Sequence, residues 1–255
     1  MQNQLAEIIK RTGSTYLAKL WLFYREYFSN DENCLHFFFD CFMQEPLSTL
    51  VDSIMIDKEK LIYQNDNGET FCEDVFTARR MLNSVERFVN VARDTETIRM
   101  GGDIFKVVYL VACVESLQQL SGTQNDAKKN ILLSFFENNT SEVDKDFIRK
   151  HFYRDDDEPV IPAEDSFRQF IGVLGEYRNC AAHEGAYWNF CFNNNEPRVP
   201  LMLIVNIDLE RYTKKGKKEH CFVTEISYKE FEAIFVRSCI TFIQNYIGGK
   251  KDADT

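Results

Sequence analysis

The run Tyr177-Arg178-Asn179-Cys180-Ala181-Ala182-His183-Glu184-Gly185 holds a guanidinium, a carboxamide and an imidazole close together. An imidazole exchanges protons near neutral pH, a guanidinium stabilises phosphate charge, and a carboxamide can hold a ribose or a water. The remaining histidines of the four present offer less. His36, amid Phe37, Phe38 and Phe39, reads as a packed or interfacial side chain, and His151 and His220, among charged neighbours, read as solvated. No HExxH, GxSxG, Walker or GxGxxG pattern occurs, so zinc, hydrolase-elbow and nucleotide-loop mechanisms have no support. The eight cysteines show neither CxxC nor Cys/His pairing at zinc spacing, and Asp155 to Glu158 lacks the spacing and Gly of a calcium loop. No metal and no cofactor is expected.

The reactive run closes a helix. After Pro162, Glu164 and Asp165 occupy a first turn that the macrodipole favours for acids, and the helix should run to about Ala182 with Gly185 as its stop. At about 100° per residue, Phe167, Phe170, Ile171, Leu174 and Ala181 form its apolar stripe, and Arg178 falls inside that stripe. A guanidinium directed at a core needs a carboxylate. Glu115, on a face shared with Ile104, Val108 and Val111, is the candidate partner. Asn179 and His183, four apart, are neighbours on the helix surface. Arg178 and His183, five apart, do not share a face; they converge only where His183 sits at the fraying end, or in a composite site across a twofold axis between two copies. Ala181-Ala182 would permit close helix approach there. A plainer reading stays open, in which His183 caps the helix C-terminus and Arg178 with Glu115 is a structural ion pair.

These residues need a scaffold, and the patterning predicts a mainly helical one. Helices are expected around Tyr16–Tyr24 and Leu35–Phe42, and at Asp74–Arg93, Ile104–Leu120 (central in the core, Gly122 as C-cap), Asp126–Glu137 and Glu142–Phe152. A last helix spans Tyr228–Ile247, with a frayed tail from Gly248 to Thr255. Ile54, Ile56, Leu61 and Tyr63 around the Asp57–Lys60 turn predict a small hairpin. Tyr187–Asn193, Pro200–Ile207 and His220–Ser227 predict three antiparallel strands. The fold class is α+β, mainly α: residues 1–70 form N-terminal helices and a hairpin, and residues 71–255 a helical domain with a small sheet inserted at about 187–227, all in one compact unit.

Composition narrows the setting. Hydrophobic residues make up 44%, charged residues 27%, with eleven Gly and five Pro in 255 residues, which is the make-up of a globular chain. The apolar stretch Ile104–Leu117 is broken by Lys106 and Glu115 and falls short of the roughly 18 residues of a spanning helix. Residues 1–11 lack a continuous apolar h-region with a small-residue cleavage site. The expectation is a cytoplasmic protein with reduced thiols and no membrane association. A net charge of −10 argues against broad adhesion to phosphate backbones. The one basic cluster, Lys214, Lys215, Lys217 and Lys218, reads first as a solvated hairpin tip and only weakly as substrate-binding.

The run Arg178-Asn179-(x)3-His183 resembles the Arg-(x)4-6-His motif of HEPN domains, in which a polar residue commonly follows the Arg and the His lies at the helix end. Val111-Ala112-Cys113-Val114-Glu115-Ser116-Leu117 is similar to the buried helix that packs against it. The likeness covers roughly Phe71 to Gly185, extends at most to the last helix, and does not account for the N-terminal third or the sheet. It implies a HEPN-like helical bundle and a metal-independent endoribonuclease acting as a homodimer on RNA, in which the 2′-hydroxyl attacks the adjacent phosphodiester. His183 would then act as base or acid, Arg178 would stabilise the phosphorane charge and Asn179 would position the substrate, with Glu115, Glu184 and Tyr177 in support. Such proteins serve as toxins or antiphage effectors, with an antitoxin or activator as partner. The resemblance equally admits a non-catalytic dimerisation module that binds RNA, nucleotide or protein. A subgroup continues the motif as His-x-Tyr, the tyrosine being modified by its antitoxin; here Gly185 takes that place.

Overall fold

The computed structural model describes residues 15–42, 55–57, 60–64, 70–74, 77–98, 102–122, 131–154, 163–184, 190–194, 201–207 and 218–253. Helix α1 (Thr15–Tyr24) leads through a 3-10 turn (Arg25–Tyr27) to α2 (Asp31–Phe42). Strands β1 (Met55–Asp57), β2 (Lys60–Gln64) and β3 (Thr70–Asp74) follow. Then come α3 (Thr77–Ile98), α4 (Asp103–Ser121), α5 (Ile131–Asn139), α6 (Glu142–His151), β4 (Phe152–Arg154) and α7 (Ala163–Asn179). A π-helical turn (Cys180–Glu184), β5 (Leu201–Ile207), β6 (Lys218–Thr224) and α8 (Tyr228–Ala253) complete the order. The chain is mainly helical with small antiparallel sheets. It divides into two compact units, residues 1–86, 120–122 and 243–255 in one, 87–119 and 123–242 in the other.

In the first unit, aromatic residues at helical spacing bury the facing sides of α1 and α2. Trp21, Tyr24, Phe37 and Phe38 are buried, with Trp21 edge-on to Phe38 at 6.1 Å and Tyr24 to Phe38 at 5.8 Å. The Tyr24 hydroxyl donates to the Leu82 carbonyl at 2.9 Å, so its polar tip is satisfied inside the core. His36 is exposed, which removes the packed half of the packed-or-interfacial expectation: Phe37 and Phe38 take the core-facing positions and turn it outward. The hairpin is present, Asp57 opposite Lys60, and β3 adds a third strand with Ile62 opposite Cys72. That strand takes Asp74, so α3 starts at Thr77 rather than at Asp74.

The second unit packs α4, α7 and α8 around phenylalanines. Ile104, Val107, Leu110, Cys113, Val114 and Leu117 of α4 are buried, and Gly122 adopts φ 72° after its last turn, the left-handed C-cap that a glycine allows. Helix α4 is long and apolar enough, by length and composition alone, to cross a membrane. Its Lys106 and Glu115 are nevertheless paired with side chains of other helices. Phe135 and Phe136 of α5 meet Phe235 and Phe231 of α8. Arg237 grips Asp144 through two hydrogen bonds, at 3.0 and 2.5 Å, and Arg93 grips Glu232 at 2.9 and 2.6 Å.

Several boundaries differ from expectation for identifiable reasons. Helix α6 ends at His151, and Phe152 is the first residue of a strand: its buried ring stacks on Phe222 and meets Phe170, both at 5.2 Å, while its backbone pairs with β6. The second sheet therefore has the order β4-β6-β5. The expected strand at 187–193 is not formed by residues 190–193, because the Phe192 and Asn193 N–H groups donate to Asp103 and to the Ile226 carbonyl instead of to a ladder. Its residues 187–189 lie outside the described residues, as do 126–130 of the expected helix before α5. Strand β6 stops at Thr224 because Ser227 starts α8 with a capping box. Its hydroxyl accepts from the Glu230 N–H at 3.3 Å, and the Glu230 carboxylate accepts from the Ser227 N–H at 2.9 Å. Helix α8 continues through Gly248 and Gly249 to Ala253, past the end expected at Ile247. His151 is half-buried rather than solvated: its ring stacks on Phe147 at 4.3 Å, with Nδ1 2.8 Å from the Phe147 carbonyl oxygen. The side chain of His220, the acidic run 155–158 and the lysines 214, 215 and 217 lie outside the described residues; Lys218 begins β6.

Candidate functional site

Helix α7 presents its apolar stripe as the spacing predicts: Phe167, Phe170, Ile171, Leu174 and Ala181 are all buried. Its last turn carries Tyr177, Arg178 and Asn179. Tyr177 is buried with its ring 5.0 Å from that of Phe190, and burial, with the Cys180 and Cys191 thiols adding to it, pushes its phenol above the ordinary range.

The expected Arg178 to Glu115 contact is made. Arg178 Nη2 donates to Glu115 Oε1 at 2.6 Å, joining α7 to α4, while Nη1 donates to Asn179 Oδ1 at 3.3 Å. The arginine is not buried as its place in the stripe suggested. The two side chains retain 30% and 46% of their exposure, which a side chain as long as arginine's allows even from an apolar stripe. The pair therefore escapes most of the desolvation cost of a core ion pair.

After Asn179 the helix widens into a π-helical turn over Cys180–Glu184. Positions five apart in a straight α-helix stand about 140° apart around the axis. Bonding from i to i+5 puts more residues in each turn and narrows that angle, which brings the backbone of position 183 back toward the side of Arg178. The side chains of His183 and Glu184 lie outside the described part of the chain, as does Gly185. Cys180 is half-buried within the turn. The structure thus brings Arg178, Asn179 and Glu115 together, adds Tyr177 behind them, and carries His183 on the turn that follows. The π-helical turn and the packing of Phe190 on Tyr177 carry no mark in the sequence pattern, since Ala181-Ala182 suit an α-helix as well.

Among the described residues no group of three or more His, Cys, Asp or Glu side chains could hold a metal ion. No family model matches this chain, and no curated protein or solved structure is significantly similar to it.

Proposed function

We propose that this chain is a HEPN-type endoribonuclease that cuts RNA without a metal, as a cytoplasmic homodimer in a toxin or antiphage setting. The observation that carries the reading is the widened turn at the end of α7. More residues per turn over Cys180–Glu184 narrow the angle between positions 178 and 183 from that of a straight α-helix, which supports a site that uses both. In the proposed step His183 takes the proton of the 2′-hydroxyl, the 2′-oxygen bonds to phosphorus as the bond from phosphorus to the 5′-oxygen breaks, and the leaving 5′-oxygen takes up a proton from solvent water. The products are a 2′,3′-cyclic phosphate and a 5′-hydroxyl. Arg178 stabilises the extra charge on the phosphoryl oxygens, and a phosphate would compete with Glu115 for Nη2. Asn179 steadies the guanidinium through its own carbonyl oxygen.

The Glu115 contact also favours a second reading, a dimerisation module that binds without cutting, because the carboxylate already neutralises the one arginine of the motif. The two separate on Arg178→Lys, which keeps the charge and loses the fork. A nuclease loses at least a hundredfold in cleavage of mixed cellular RNA in excess EDTA; a binding module cuts no RNA in either form. Light scattering tests the dimer, and a strict monomer at micromolar concentration removes the composite site.

A further inference from the structure

Asp103, the first residue of α4, is buried, yet its carboxylate is fully engaged. Oδ1 accepts from Lys106 Nζ and Oδ2 from the backbone N–H of Phe192, each at 2.8 Å. Lys106 is itself buried, also bonds Glu96, and stands 4.4 Å above the centre of the Tyr228 ring. Burial works to lower its pKa, but the bonds to Asp103 and Glu96 outweigh that and hold the ammonium above its ordinary value, so the charge on which Asp103 rests persists. What Asp103 holds is a segment with no helix or strand of its own. Residues 190–194 are fixed by the Phe192 N–H on Asp103, the Asn193 N–H on the Ile226 carbonyl, and Asn194 Oδ1 accepting from the Tyr228 N–H. Phe190 in this segment packs on Tyr177, immediately before Arg178. Only residues 185–189 separate the π-helical turn from Phe190, so the turn is bracketed by Tyr177 on one side and the tethered Phe190 on the other. π-Helical turns are rare and persist where their surroundings impose them.

We propose that Asp103 is a positioning residue for the Arg178–His183 turn: by tying residues 190–194 to α4 it holds Phe190 against Tyr177 and keeps the end of α7 in its π-helical form. This rests on the reading of that turn as the reactive one. Asn at this position cannot replace Asp, because an amide has one acceptor oxygen for two donors and would turn its NH2 on Lys106 or on Phe192.

The test is hydrogen–deuterium exchange of the full-length chain as wild type, Asp103→Asn, Glu96→Gln and Phe190→Leu. Asp103→Asn is expected to speed exchange in peptides covering 177–184 at least tenfold, with α5 and α6 changed less than twofold. Glu96→Gln, which touches Lys106 but not the Phe192 tether, should stay within twofold throughout. Phe190→Leu interrupts the chain of contacts beyond the charged cluster, should reproduce the local effect, and serves if Asp103→Asn does not fold. In a wild type that cuts RNA, Asp103→Asn is expected to lower kcat at least tenfold with KM little changed. Exchange in 177–184 that stays unchanged, or that rises equally across α5 and α6, overturns the inference, as does faster exchange with an unaltered kcat. A wild type that cuts no RNA removes the nuclease reading, while the exchange pattern still decides whether Asp103 holds the turn.

Discussion

Replacing Arg178 with Ala separates a site held for chemistry from one held for stability, because the structure bounds what folding can lose. The variant gives up one hydrogen-bonded ion pair to Glu115 and a 3.3 Å bond to Asn179. With the pair's members 30% and 46% exposed, its worth is that of a surface pair, about 0–1 kcal/mol, and the long bond to Asn179 adds about 0.5 kcal/mol. The expected loss is about 1 kcal/mol against a total of roughly 5–15 kcal/mol. A buried pair losing one partner would instead cost about 3–5 kcal/mol. Cleavage, in contrast, should fall by two to three orders of magnitude, the usual consequence of removing a charge-stabilising group. Urea unfolding read by far-ultraviolet circular dichroism and by fluorescence gives the stability change, and coincident curves show whether both units unfold together. A loss of 3 kcal/mol or more would mean that Arg178 holds the fold, and the argument from its exposure would fail.

Three further outcomes follow from particular residues. Burial pushes the Cys34 thiol from 9.0 up to about 12, with Asp31 adding to the shift and Arg25 opposing it. A raised folded-state value means that this contribution is whole below pH 9 and is lost as pH rises toward 12; Cys34→Ala should flatten the alkaline fall in stability by about 1.4 kcal/mol per pH unit, and an unchanged slope would refute this. Gly248→Ala and Gly249→Ala meet no atom within 4 Å, so each should stabilise α8 by about 1 kcal/mol or less, whereas no gain in denaturant midpoint would indicate a frayed tail. Phe152→Ala should cost about 3–5 kcal/mol, while Tyr153→Ala, at an exposed position, should cost under about 1 kcal/mol; equal losses would contradict the register of β4.

How far the fold can be read from the sequence depends on what each feature needs. Gly122 as a C-cap and the stripe on α7 follow from local period and from the conformations glycine allows, and the structure has both. The Arg178–Glu115 contact was legible because two charges on apolar faces need each other; the depth of the pair was not, because a stem long enough to reach water defeats a wheel diagram. Phe152 continues the periodic pattern of α6, yet a partner strand and two facing rings decide its conformation, and neither shows in a local window. Residues 190–193 alternate as a strand does, but their N–H groups are claimed by Asp103 and Ile226, both distant in sequence. The box Ser227-Tyr228-Lys229-Glu230 was readable as a helix start, and the apolar alternation before it obscured that. At the site, the residue types were legible and the geometry was not: nothing in Cys180-Ala181-Ala182 marks the π-helical turn that follows Asn179.

The most direct test incubates purified wild type and His183→Ala with mixed cellular RNA in excess EDTA and scores both cleavage and the chemistry of the new ends. The account predicts that wild type cuts and leaves 2′,3′-cyclic phosphates while His183→Ala does not cut. Cutting that survives His183→Ala, or that EDTA abolishes, would contradict it.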